Sequence, residues 1–457
     1  MSALARPPGG FREIARVKLA NARVSGALDS STARLLDGRL GAWDSLGDVE
    51  ELRERAHVAR MRVVDDLDGH VDRFRKAVEA RGGVTFAAAT AEDASAYIVD
   101  VCRRTGAKLA AKSKSMATEE IGLNEALEAA GVRAVETDLG EYILQLAGEH
   151  PVHIIAPAIE KTKEDVAELL SEVDGHAVPA ELEALTRAAR RQLRETFLAA
   201  DVGITGANFG VSETGSIVLV TNEGNGRLVS SLPRVHIVLM GMERLVASLP
   251  DLSVMLRLLA RSATGQRLTT YTTVITGPRR AGETDGPDEL HVVILDNGRS
   301  KLAGGRYREM LACIRCGACL NVCPVYRRTG GAAYGPVYSG PMGAVLVPLL
   351  VGLDAAPDLP HASSLCGACT DACPVKIPLH ELLLELRRDL VEGRVAPRRE
   401  RLAFWLWSQA WSSAAFYRVS TRLARIGAPF AALVGPGRIW RSGRTLPKLG
   451  RRYRDRR

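Results

Sequence analysis

The sequence predicts an α/β chain: an open parallel or mixed sheet over residues 66–300, an α-helical cysteine-rich domain over 301–395, and a basic, Trp-rich segment over 396–457. Three observations carry this. Short apolar runs alternate with helix-length periodic segments from Asp66 onward. Seven of the eight cysteines fall between Cys313 and Cys373. Fourteen Arg and one Lys stand against only Glu400 and Asp455 from Ala396 to the last residue, so the basicity of a +8 chain belongs to that segment and the body is mildly acidic. At 457 residues, two or three domains are expected. A hydrophobic content of 46% with 25% charged residues is globular and excludes disordered or collagen-like classes.

Taken in order, residues 1–65 read as a helical extension. Asp66 to Arg81 has helical periodicity and stops at Gly82-Gly83. Val84 to Ala88 has the length of a strand, Ala91 to Thr105 is helical and closes on Gly106, and Lys108 to Lys112 is a strand. Thr118 to Ala130 is a helix stopped by Gly131, Val132 to Glu136 a strand, Gly140 to Ala147 a helix and His153 to Ala156 a strand. Strands separated by helices of this length imply parallel crossovers. After Val202 the pattern changes, and Gly215 to Thr221, Val235 to Met240, Thr269 to Ile275 and Leu290 to Leu295 read as strands between Gly, Asn and Pro. From Arg306 to Arg394, short helices are joined by Gly/Pro-rich loops. The longest apolar run, Pro341 to Leu353, is shorter than the ~20 residues of a bilayer span. Met1 to Asn21 lacks a secretory pattern. A cytoplasmic location is expected, with peripheral contact at the inner membrane face through the basic segment as a further option.

Clustered cysteines without a secretion signal read as metal ligands rather than disulfides. Cys313, Cys316, Cys319 and Cys323, followed by Pro324, form the C-x2-C-x2-C-x3-C-P run of bacterial ferredoxins. Cys366, Cys369 and Cys373, followed by Pro374, repeat its ending, with Ser363 where the leading cysteine would stand. With the usual exchange of fourth ligands, a first [4Fe-4S] cluster takes Cys313, Cys316, Cys319 and Cys373. The second takes Cys323, Cys366 and Cys369. It is either a [4Fe-4S] cluster completed by Ser363, His361, water or a partner group, or a [3Fe-4S] cluster. Structural zinc, the alternative, prefers two pairs around one tetrahedral ion and has no use for this spacing.

The run Cys313 to Gly331, with Ser363 to His380, resembles lactate utilization protein B. So do Lys114 to Leu127, Thr137 to Ile143, Ile155 to Ile159 and Thr205 to Gly226, and the resemblance covers nearly the whole chain. It implies an amino-terminal domain folded like sugar-phosphate isomerases and CoA transferases, and one subunit of a three-part system oxidising L-lactate to pyruvate. It also implies partner subunits, one a cysteine-rich iron–sulfur protein, and a gap at the Ser363 position shared across the family. On this reading the chain is an electron-transfer oxidoreductase subunit that needs its partners and passes electrons through two clusters to an acceptor such as a quinone. The alternative is a scaffold whose α/β domain senses an organic acid and whose clusters are structural or redox-sensing.

Within the α/β domain, Lys112-Ser-Lys-Ser115 lies between a strand and a helix, where it would hold a carboxylate or phosphate, or be a helix capped by Ser115 with solvated lysines. Thr205 to Asn208 and Asn222 to Gly226 flank one strand, with Glu213 and Glu223 near its ends, in positions where open sheets bind ligands. His236 and Cys102 read as core residues. In the basic segment, Trp405, Trp407, Trp411 and Trp440 accompany the arginines. This favours docking on an acidic subunit first, a membrane surface second, and nucleic acid last.

Overall fold

The computed structural model describes residues 10–335, 337–395 and 398–431. Residues up to Asp389 form one compact unit and those from Leu390 another. The first unit is built on a six-stranded, wholly parallel sheet of β1 (Val84–Ala88), β2 (Leu109–Lys112), β3 (Arg133–Glu136), β4 (Val202–Thr205), β7 (Val235–Gly241) and β10 (Glu289–Leu295). Its order is β1-β10-β7-β4-β2-β3. A smaller sheet, β8-β5-β6-β9, joins β5 (Phe209–Val211), β6 (Ser216–Thr221), β8 (Leu245–Val246) and β9 (Tyr271–Ile275). Every residue of β7 is buried, as is all of β10 after Glu289, which is why both strands are continuous apolar runs rather than alternating ones. The β5–β6 hairpin turns through Gly215 at φ +67°. A Cβ there would stand 2.6 Å from the Ala77 carbonyl carbon and the Val78 nitrogen, so only glycine fits.

Helix stops and caps fall largely where the sequence places them. Thr90 and Asp93 form a reciprocal capping box on the helix Ala91–Arg104. The helix expected from Thr118 to Ala130 is instead two, Met116–Glu120 and Leu123–Ala129, because Gly122 takes φ +63° between them. The strand expected at His153 to Ala156 does not form. Ile155 and Ala156 donate their N–H groups to Nδ1 of the buried His153 (3.0 and 3.1 Å), and the Val152 carbonyl accepts from Tyr326 and Ser339. The backbone groups a sheet would use are spent on side chains.

The helices Gly10–Ala20, Ala22–Asp44 and Val49–Asp65 precede the sheet. Leu28, Leu52 and Ala56 from them share one apolar core with Phe209, Val218, Met255 and the cysteine loops.

Candidate functional site

The two cysteine groups adopt one backbone shape. Arg315, Cys316 and Gly317 match Leu365, Cys366 and Gly367. In each triplet the outer residues have positive φ, +59° and +76° in the first and +56° and +84° in the second. A left-handed Arg or Leu costs roughly 1–2 kcal/mol, so this conformation is held by its surroundings in both copies. Each triplet opens a one-turn helix, Ala318–Asn321 or Ala368–Asp371, that carries the next cysteine inward. Ser363 occupies the place of Cys313, and its Oγ accepts from Leu365 N–H (3.1 Å).

Cys313, Cys316, Cys319 and Cys373 line a small cavity of about 20 Å³ with Ile154, Arg315 and Met342. Cys323, Cys366 and Cys369 are electrostatic neighbours of one another. The cysteine carried by each Cys-Pro corner thus lies with the other group. The amides of Tyr326 and Ile377 point at Sγ of Cys323 and Cys373 (3.5 and 3.4 Å).

The spacing of the sulfurs tests what fits. Around one tetrahedral zinc they would approach to roughly 3.8 Å. Among the described residues, only the carboxylates of Glu119, Glu136 and Glu141 bring three potential ligand atoms within 4.8 Å of one another. The cysteines are spread wider, as an inorganic cluster requires. Burial and then neighbouring cysteines push the Cys316 thiol up to about 12, and burial pushes Cys373 up to about 11. Iron binding would therefore displace protons from neutral thiols.

Arginines that no sequence motif signals surround the first cage. Arg39 donates to the Ala372 carbonyl (3.1 Å), and Arg53 to those of Asp371 and Cys373 (3.0 and 2.8 Å). The fully buried Arg60 donates to the carbonyls of Leu311 and Ala312 (2.9 and 3.1 Å) and also to those of Glu243 and Leu245. Arg244 donates to the Cys313 carbonyl (3.0 Å). Three of these four come from the amino-terminal helices. They fix the corners that present the cysteines and set positive charge around a cage that is anionic when loaded.

A larger cavity of about 280 Å³ opens where β2, β4 and β7 end. It is lined by Ser113 to Ala117, Gly206 to Asn208, and Asn222, Glu223 and Asn225, so the three loops singled out in the sequence do converge. They meet between β2 and β4, where the strand order reverses, the place at which open α/β sheets bind ligands. Burial, then the neighbouring Asp138, raises the Glu223 carboxyl. Glu213 lies elsewhere, accepting from Leu249 N–H (2.8 Å).

The Lys112 loop satisfies neither expectation in full. Ser115 does cap its helix, accepting from Thr118 N–H (3.3 Å). Lys112, however, is not solvated. It is fully buried, with Nζ 2.5 Å from Glu136 and from Asn124 and 3.5 Å from Glu119. Lys114 reaches the cavity. His236 is a core residue whose Nε2 meets Thr205 Oγ1 (2.9 Å), and burial drops it to about 3. Cys102 is buried and its thiol is raised by burial to about 11.

In the second unit, the helices Arg398–Trp411 and Ala414–Ala431 expose Trp405, Trp407, Trp411, Phe416 and Leu423. Among the described residues no helix is long and apolar enough to cross a membrane. Trp440 and the arginines beyond residue 431 lie outside the described residues.

A LUD domain family model matches residues 71–295 and a 4Fe-4S dicluster domain model matches residues 309–377. A protein named lactate utilization protein B from Bacillus velezensis is 49% identical over 97% of this chain and 96% of its own. One of the same name from Macrococcus caseolyticus is 49% identical over 91% and 87%. Lactate utilization protein B 2 from Bacillus mycoides is 48% identical over 94% and 93%.

Proposed function

This chain belongs to the lactate utilization protein B family, and from that premise we propose that it is the iron–sulfur electron-transfer subunit of a complex that oxidises L-lactate to pyruvate. The carrying observation is the pair of cysteine sets on one repeated backbone shape, each joined by the Cys-Pro cysteine of the other group. Cys313, Cys316, Cys319 and Cys373 would hold a [4Fe-4S] cluster. Cys323, Cys366 and Cys369 would hold a second, completed by a non-cysteine ligand or built as [3Fe-4S].

Bound there, the clusters supply one-electron carriers. The short helix Ala318–Asn321 keeps Cys319 and Cys323 of the two sets four residues apart, which gives electrons a short path between them. Buried Leu320 and Tyr326 exclude water along that path. The buried arginines favour an added negative charge on the first cage. The partners are the other subunits of the complex, one a cysteine-rich iron–sulfur protein, and the acceptor is of the quinone type.

The test is anaerobic purification with iron and sulfide quantitation and EPR, followed by addition of L-lactate to the assembled complex. Two cluster signals and lactate-dependent bleaching are expected. A single signal refutes the two-cluster assignment, and clusters that stay oxidised refute the electron-transfer role.

A further inference from the structure

Arg315 belongs to both cavities. It sits in the first cysteine loop, yet it lines the large cavity at the strand ends as well as the small one ringed by cysteines, and Ile154 is the other residue they share. Its backbone is left-handed, φ +59°, and its guanidinium is an electrostatic neighbour of Cys313. The guanidinium lies over the Tyr338 ring, 4.6 Å from its centroid, 3.3 Å from Glu243 Oε1 and 3.1 Å from Met342 Sδ. A guanidinium has five N–H donors. This one spends them on a single long carboxylate contact and a thioether.

The surrounding charge points the same way. Arg60, Arg244, Arg299 and Arg315 are packed around two buried carboxylates, Glu120 and Glu243, and Arg299 makes the shortest ion pair with each. Lys114 adds a further cation to the lining, with no hydrogen bond or ion pair among the described residues. Asp138 and Glu223 stand on the lining as well, with Lys114 an electrostatic neighbour of Glu223, while Arg244, Arg299 and Arg315 line it around Glu243. A volume of about 280 Å³ corresponds to roughly nine waters. That is room for a three-carbon acid with solvent. Ser113 and Asn225 offer a hydroxyl and an amide to such a ligand, while Leu219, Leu259 and Ala263 form an apolar wall.

We propose that this cavity binds a small 2-hydroxy- or 2-oxo-carboxylate whose carboxylate is held by Arg315, so that one side chain links the bound acid to the loop of the first cage. The choice of acid rests on the functional reading above; the cavity and its cation do not. A forked guanidinium recognises a carboxylate through two parallel hydrogen bonds.

The test uses the full chain with its clusters loaded, titrated anaerobically by calorimetry with L-lactate, pyruvate and inorganic phosphate, with EPR of the reduced clusters alongside. Saturable binding of lactate or pyruvate is expected, with a shift in one cluster signal only. Arg315→Gln should weaken it about tenfold or more at unchanged iron content. If Arg315→Gln fails to assemble clusters, Ala263→Leu decides, since it fills the cavity from the helix Leu249–Ala263, away from the cysteine loops, and should weaken binding similarly. No saturable binding, phosphate binding as tight as the carboxylates, or binding indifferent to the decisive variant overturns the proposal. Cluster reduction by lactate in the complex, without binding to this chain, overturns this proposal alone. Binding without cluster reduction leaves it standing and overturns the electron-transfer role.

Discussion

Replacing Lys112 with methionine probes whether the strand-end loops are held by a buried ion pair. Lys112 and Glu136 are both buried, with Nζ 2.5 Å from Oε1, and Glu119 and Glu141 stand close by. Methionine keeps the stem and deletes the charge, leaving three carboxylates with no cation among them. At an effective dielectric of about 20 the Glu136 contact is worth roughly 7 kcal/mol in gross attraction. Desolvation of both ions offsets part of that, and stranding one partner of such a pair costs about 3–5 kcal/mol. An unfolding entropy of about 2.1 cal/mol/K per residue over the 389-residue unit converts this into a Tm drop of about 4–6 °C. Burial opposes the lysine's charge, but Glu136 and Glu119 outweigh it and raise its pKa. The stability it contributes is therefore complete at neutral pH and disappears only above the lysine range. In the variant the stranded carboxylates can take up protons, so the deficit should be largest near pH 8 and shrink toward about pH 5.5. Anaerobic scanning calorimetry at both pH values, with cluster absorbance as a folding control, measures it. A loss under about 2 °C near pH 8, or one equal at both pH values, would falsify the reasoning.

Further tests bear on the cages and the second unit. Ser363→Cys places a thiol where the matching Cys313 stands in the first group. If the second cluster has three irons, iron should rise by about one per chain and a three-iron EPR signal should vanish. Cys319→Ala should remove the first cluster and leave the signal of the second; retention of both would disprove the ligand set. Burial would raise the Glu243 carboxyl, but Arg299, Arg315 and Arg244 overcome it and hold the group at about 2. Its stability is present above the ordinary carboxylate range near 4.3 and is lost as pH falls toward 2, so Glu243→Gln should flatten the acid limb of the Tm profile. In co-sedimentation with anionic vesicles at low and high salt, salt-sensitive binding lost in a Trp405→Ala, Trp407→Ala double variant would place the second unit at a membrane surface. Absence of binding at low salt would leave subunit docking.

The parallel sheet was legible because β1, β2, β3, β7 and β10 are apolar runs between helix-length segments, each closed by glycine or proline. The gathering of the cysteines into two groups was legible because their spacing is written in the chain itself. What escaped was what depends on distant partners. The His153 segment has the composition of a strand, but its Ile155 and Ala156 amides turn to the His153 ring, and the Val152 carbonyl just before it is claimed by Tyr326 and Ser339, more than 170 residues away. Nothing local distinguishes Lys112 from a solvated lysine, because Glu136 comes alongside only once β2 and β3 pair in register. The helices Lys163–Asp174 and Leu182–Ala199 lie outside the elements expected from the sequence, although Thr162 and Asp165 form a capping box before the first. Arg39, Arg53 and Arg60 look like ordinary surface charges of amphipathic helices, and only the tertiary fold turns them toward the cysteine corners.

Those arginines also impose an order on assembly. Arg39 meets its carbonyl 333 residues further along the chain, and Arg53 meets the Cys373 carbonyl after 320. At about 5–20 residues per second on the ribosome, Arg39 waits roughly 15–70 s for its partner. The corner carrying Cys373, which closes the first cage, is synthesised after every other cysteine of the chain. A cluster held by Cys373 could be completed only after that corner is made, and the contacts of Arg39 and Arg53 with it form at the same late stage.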